Sequence, residues 1–155
     1  DMEGSRGLGD VYKRQRPDDQ DWQARLELHR QRRPSHWRLV EADADLTSAL
    51  RTIPQHSSVL IDALGGFVAC HLDDSDEVWN ECCNGLIQQL AGMHQTCVLV
   101  IEETGWGVVP PTRIGGRFRD RLGSLAQRLD QEADSAWLVL QGRAIDLHSL
   151  SQRVP

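Results

Sequence analysis

Three short apolar runs alternate with longer segments of helical period, and that alternation leaves few folds open. The runs are SSVLID at 57–62, CVLVIEE at 97–103 and AWLVLQG at 136–142. Each has a strand's length and an unbroken apolar core, so each is expected to be a buried strand. Between them lie SDEVWNECCNGLIQQLAGMH, with Val78, Cys82, Leu86 and Leu90 at a spacing of four, and GRFRDRLGSLAQRLDQEAD, with Phe118, Leu122, Leu125 and Leu129 along one side. Both predict amphipathic helices. A parallel strand pair needs a crossover of a dozen or more residues, usually a helix. The expected fold is therefore α/β: a three-layer arrangement with a mainly parallel sheet and helices on its faces. Ligands on such sheets bind beyond the carboxyl ends of the strands. Asp62, Glu102 and Glu103 stand there.

The remaining segments fit around this frame. DDQDWQARLELHRQRR at 18–33 predicts a helix, capped by Asp18 or Asp19, with arginines crowding its last turn and Pro34 ending it. HWRLVE at 36–41 predicts a short strand, and Asp45 is expected to cap a short helix running to Ile53. ALGGFVACHL is expected to turn into a helix after Gly65 or Gly66. GWGVVPPTRIGG has the glycine and proline density of a loop, with Trp106 exposed, and AIDLHSL predicts a short final strand.

A chain of 155 residues with net charge −6 is one domain by length and a poor non-specific nucleic-acid binder by charge. No run approaches a membrane span, and no apolar segment follows a basic head at the N-terminus, so a cytoplasmic protein is expected. Cys70, Cys82, Cys83 and Cys97 show no C-x-x-C or zinc-finger spacing, and reduced, buried thiols are the expectation. Residues 1–15, DMEGSRGLGDVYKRQ, have neither period nor apolar face, and GLGDVYKRQ looks like a translated adapter. They are expected to be a non-native or disordered segment ahead of a domain at 16–155, which the family resemblance given below implies to be a partial nucleotide-binding one.

Candidate chemistry sits at few positions. Asp62 closes an apolar strand, where an acid can hold Mg²⁺ in phosphate-handling enzymes or simply cap the next helix. Their usual partner, the G-x-x-x-x-G-K-[ST] phosphate loop, is not in the sequence, whose single lysine is Lys13. His29 lies in H-R-Q-R-R, where an imidazole nitrogen could attack an α-phosphate with arginines neutralising charge, or could be an ordinary surface histidine. An unperturbed imidazole titrates near ~6.5 and is largely neutral at pH 7, as a nucleophile must be. Glu102 and Glu103 precede a Gly-rich turn that could be a binding loop or a packed corner. Arg113, Arg117, Arg119 and Arg121 suit a solvated helix face, anion binding or a subunit contact.

Together these segments resemble the bifunctional adenosylcobinamide kinase and adenosylcobinamide-phosphate guanylyltransferase family. RLELHRQRRPSHW looks like its R-[IL]-x-x-H-[KR]-x-x-R-P-x-x-W segment, and VLIDALGGFVACHL like its V-L-[IV]-[DE]-x-[LI] strand and following helix. EETGWGVVPPTRIGGRFRD is similar to its most distinctive stretch, E-x-G-[WM]-G-[IV]-V-P followed by R-x-F-R-D, and WLVLQGRAIDL to its last strand. The resemblance covers about residues 16–150.

The resemblance implies a P-loop NTPase-like fold, here without its first strand and phosphate loop. It implies two reactions: phosphorylation of adenosylcobinamide by ATP or GTP with Mg²⁺, then GMP transfer from GTP to adenosylcobinamide phosphate through a guanylylated histidine. That histidine falls on His29. Nucleotide contacts fall on Arg30, Gln31, Arg32, Arg33 and Glu41, and the strand-end acid, also the metal ligand, on Asp62. A homo-oligomer is implied, trimeric in the family, with no nucleic acid and no membrane span. Two family asparagines are Cys70 and Ala126 here. The alternatives are a non-catalytic homologue that binds nucleotide or assembles with an intact subunit, and an unrelated α/β binding domain.

Overall fold

A computed structural model describes Ala24, Glu27, Leu28 and residues 31–154. Helical backbone at Ala24, Glu27, Leu28, Gln31 and Arg32 agrees with the helix expected over 18–33. The following elements are α1 (Leu46–Arg51), β1 (Val59–Asp62), α2 (Leu64–Cys70), α3 (Asp76–Ala91), β2 (Cys97–Val100), α4 (Arg113–Glu132), β3 (Trp137–Leu140), β4 (Arg143–Asp146) and α5 (Leu147–Leu150).

Local chemistry explains where the helices begin. The Asp45 carboxylate accepts from Ser48 N at 3.1 Å, which caps α1 and lowers the acid's pKa. Ser75 caps α3 through Val78 N at 3.4 Å, and Asp76 and Glu77 favour the positive end of that helix. Thr112 caps α4 through Gly115 N at 3.1 Å. Thr112→Ala leaves that donor without its partner, and should lower unfolding stability by about 1 kcal/mol in urea denaturation.

β1 and β2 pair in parallel, Val59 opposite Cys97 and Asp62 opposite Val100, with α2 and α3 in the crossover. This is the expected βαβ connection. The sheet is covered on one side: Ile61 is buried, while Leu60, Val98 and Val100 on the alternate face are exposed among the described residues. The expectation of strands buried on both faces is corrected accordingly, because α2, α3 and α4 all contribute to one core. Leu64, Phe67 and Val68 of α2 pack there with Trp79, Cys83 and Leu86 of α3 and Phe118, Leu122, Leu125 and Leu129 of α4.

Three further expectations change. The third apolar run forms β3, but it pairs antiparallel with β4 in a separate hairpin. The turn between them holds Gln141 at φ 50° and Gly142 at φ 73°, the doubly left-handed corner that matches the twist of a two-residue hairpin. Residues 36–41 form no strand. In α3 the buried stripe is Trp79, Cys83 and Leu86, while Val78 is 45% exposed. A strict spacing of four drifts off a 3.6-residue helix by roughly 40° per step, whereas 79, 83 and 86 hold one face.

Candidate functional site

The carboxyl end of the parallel pair is built from two turns. β1 ends at Asp62, whose side chain is exposed, and the chain enters α2 two residues later. β2 ends at Val100 and runs through Ile101 to Glu102. The Glu102 carboxylate crosses to the first turn of α2 and accepts from Gly65 N at 2.9 Å. Close approach is possible because residue 65 is glycine: a β-carbon there would lie 2.6 Å from Glu102 Oε2. Glu102 thereby ties the turn that carries Asp62 to the loop that follows β2.

That loop is braced at both ends. Glu103 Oε1 accepts from Gly105 N at 2.6 Å, and Pro110 packs against Gly115, where a β-carbon would meet Pro110 Cβ at 2.8 Å. Trp106, Val108 and Val109 stand exposed between these braces, so the loop and its exposed tryptophan are as the sequence predicts.

Neighbouring glycines give a test of opposite signs. Gly65→Ala must expel the Glu102 carboxylate and lose a charge-assisted hydrogen bond, and helix propensity recovers only part of that loss. A net destabilisation of about 1 kcal/mol is expected. Gly66→Ala meets nothing within 4 Å and should stabilise by up to about 1 kcal/mol. Paired urea titrations read both; equal shifts would remove the Glu102 tie from the account.

Of the other sequence-derived candidates, His29 and Arg30 lie outside the described residues. Gln31 donates to Glu27 Oε1 at 3.2 Å, Arg32 and Glu41 are exposed, and Arg33 is half-buried. Among the described residues no hydrogen bond or ion pair joins Arg32, Arg33 or Glu41 to Asp62. Burial pushes the Cys83 thiol up to about 11 and raises Cys82 and Cys97 as well, so these three stay protonated at neutral pH, whereas Cys70 is exposed and departs from the expectation of buried thiols. None of the four cysteines is in a disulfide.

The α4 arginines divide. Arg119 pairs with its exposed neighbour Asp120 at 3.3 Å. Arg117 and Arg121 instead turn inward to the turn that follows α2, whose main-chain carbonyls need donors once taken out of water. Arg117 donates to Leu72 O at 2.8 Å, and Arg121 donates to His71 O and to Asp74 O at 2.8 Å. Sequence reasoning set Arg121 among arginines of a solvated face, an anion site or a subunit contact and did not single out His71; both are buried. Position 121 lies three residues after Phe118, on the apolar stripe of α4, and that was the available signal.

The family model for cobinamide kinase / cobinamide phosphate guanyltransferase matches residues 13–147. The chain belongs to this family. It is 33% identical over 144 residues to the bifunctional adenosylcobalamin biosynthesis protein CobU of Escherichia coli K12, covering 83% of this chain and 80% of that one. The CobU of Salmonella typhimurium is likewise 33% identical, over 150 residues with the same coverage. The bifunctional CobP of Pseudomonas aeruginosa is 30% identical over 126 residues, covering 79% and 72%. In this member of the family, Cys70 ends α2 and is exposed, and Ala126 is half-buried in α4. The protein thus has a mixed α/β fold with a small parallel sheet, and its relatives are cobalamin biosynthesis enzymes. No described helix is long and apolar enough to cross a membrane.

Proposed function

We propose that the chain transfers GMP from GTP to adenosylcobinamide phosphate, as the second of its family's two reactions, with His29 as the nucleophile. The observation that carries this reading is the family match over residues 13–147, which spans H-R-Q-R-R and the strand-end acid together. A neutral His29 nitrogen attacks the α-phosphorus of GTP, the P–O bond to pyrophosphate breaks, and pyrophosphate leaves. A phosphate oxygen of adenosylcobinamide phosphate then attacks the same phosphorus, the N–P bond breaks, and adenosylcobinamide-GDP forms. Arg30, Gln31, Arg32, Arg33 and Glu41 are assigned to the nucleotide, the arginines offsetting charge on the transferring group.

Asp62 is assigned to Mg²⁺. An exposed carboxylate at a strand end is the hard oxygen donor that this ion takes, with water and phosphate oxygens completing its shell. Bound there, Mg²⁺ would offset charge on the phosphates. In this reading β1 and β2 belong to the parallel sheet of a P-loop-like three-layer domain at 16–155, active in the cytoplasm as a homo-oligomer, trimeric as the resemblance implies. Phosphorylation of adenosylcobinamide by ATP or GTP is assigned to the family's phosphate loop, which these 155 residues do not contain.

The same observation favours a second reading, a homologue that binds nucleotide or an intact subunit without transfer. Incubating the full chain with GTP labelled at the α-phosphate separates the two. The first reading expects covalent label that is lost in acid and kept in alkali, as a phosphoramidate behaves. GTP binding with no covalent label on the folded chain would establish the second.

A further inference from the structure

Away from the strand ends, His71, Asp74 and Cys82 meet where α2 gives way to α3. A ring nitrogen of His71, a carboxylate oxygen of Asp74 and Cys82 Sγ all lie within 4.8 Å of one another. His71 Nε2 faces the main-chain oxygen of Ala44 at 3.0 Å, and Nδ1 faces Asp74 Oδ2 at 2.7 Å. A carbonyl oxygen only accepts, so Nε2 carries a hydrogen. In the neutral ring Nδ1 then holds a lone pair, and it confronts a carboxylate, which is also an acceptor. At 2.7 Å the two atoms are at hydrogen-bond distance and share a proton; a metal ion bound here would displace that proton, the His71–Asp74 pair opening as the thiol closes in.

We propose that His71, Asp74 and Cys82 form a binding site for one zinc-class divalent ion. The donor set of one imidazole, one carboxylate and one thiol is the mixture that Zn²⁺ accepts, and it leaves a fourth tetrahedral position for water. Entry is from the Asp74 side, whose side chain is 33% exposed while that of His71 is 10% exposed. The bond from Nε2 to Ala44 O is the outer support typical of metal-binding histidines, because it holds the ring and leaves the other nitrogen to the ion. Metal–ligand lengths of about 2.0–2.3 Å place tetrahedral donors roughly 3.3–3.6 Å apart, so the three side chains close on an ion through movements of about 1 Å.

The surrounding charge favours a cation. Beyond burial, the fields of Asp74, Glu81 and Asp45 all act to keep the Cys82 thiol protonated, and the same negative field attracts a metal ion. The guanidinium of Arg121 is engaged with His71 O, Asp74 O and Asp76 Oδ1, so the Asp74 carboxylate stays available to the site. On binding, the ion takes the thiolate, and the thiol proton leaves to solvent. The spacing H-x-x-D followed by Cys82 two turns along α3 matches no finger pattern, so only the folded turn brings the donors together.

The test is calorimetric titration of the reduced full chain with ZnCl₂, alongside Co²⁺ absorption spectra. One Zn²⁺ per chain is expected, with a thiolate-to-cobalt charge-transfer band. Cys82→Ser should abolish that band and weaken zinc binding at least tenfold, while Cys97→Ser leaves both unchanged. Asp74→Asn, at a partly exposed side chain, should also weaken binding at least tenfold and reads the site independently if Cys82→Ser fails to fold by circular dichroism. Absence of stoichiometric zinc binding would overturn the proposal, as would unchanged affinity in either site variant that folds.

Discussion

His29→Ala should reduce covalent incorporation of label from α-labelled GTP to background while leaving equilibrium GTP binding within about threefold of the parent chain. The reasoning is chemical. Alanine removes both ring nitrogens, the atoms of that side chain able to form the N–P bond, and without them the route through a covalent intermediate has no first step. In the proposed reading ground-state binding rests on charge and hydrogen bonds from Arg30, Gln31, Arg32 and Arg33, which the substitution leaves in place. His29→Gln should behave the same way, since an amide can hydrogen-bond to phosphate but cannot be guanylylated. Retention of label in either variant, with the adduct mapped by mass spectrometry to another residue, would assign the nucleophile elsewhere. Parallel loss of GTP binding would make His29 a contact rather than the nucleophile.

Arg121→Met should lower the free energy of unfolding by about 3 kcal/mol, because charge-assisted hydrogen bonds to buried acceptors contribute about 1.5–3 kcal/mol and lost partners strand those acceptors. Arg121 is 5% exposed. It donates to His71 O, to Asp74 O at 2.8 Å and to Asp76 Oδ1 at 2.9 Å, and lies 5.3 Å from the centroid of the Trp79 ring. Methionine keeps an unbranched apolar stem beside the Trp79 ring but supplies no donor. The Asp76 carboxylate is largely exposed and returns to water at little cost, so the loss comes from the two main-chain oxygens. Arg121→Lys should recover only part of it, since one ammonium on a flexible stem does not reproduce the planar fork that spans this turn. Urea denaturation followed by tryptophan fluorescence measures both variants. A loss below about 1 kcal/mol for Arg121→Met would mean that the carbonyls of His71 and Asp74 find other donors.

Much of this was open to inspection in the residues, and the exceptions are instructive. Asp45 at the start of α1, the stripe of Phe118, Leu122, Leu125 and Leu129, and the parallel pairing of the first two apolar runs all follow from local chemistry and periodicity. The third run, AWLVLQG, has the same apolar character as the first two, yet it folds back on β4, because Gln141 and Gly142 accept left-handed backbone and a hairpin closes locally. Apolar content tells that a segment is a strand and is silent on its partner. Likewise, Arg117, Arg119 and Arg121 are three arginines within five positions. The helix turns by roughly 100° per residue, so 117 and 121 share a side that meets α2 while 119 points away.

At the candidate site the division is similar. Asp62 at a strand end and the Gly-rich loop around Trp106 were visible as residue types in order along the chain. The hydrogen bond from Gly65 N to Glu102, across 37 positions, was not. The residues alone carried the βαβ order, the Asp45 cap, the apolar stripe of α4 and the motifs that place the chain in the cobinamide kinase/guanyltransferase family, since each depends on neighbours within a turn or two or on identity at given spacings. Packing in three dimensions settled that β3 pairs with β4, which arginines face inward, and that His71, Asp74 and Cys82 share one corner. Those outcomes depend on which helix carbonyls and ring nitrogens are taken out of water and must find a partner. Burial of that kind is a property of packed surfaces brought together from distant parts of the chain.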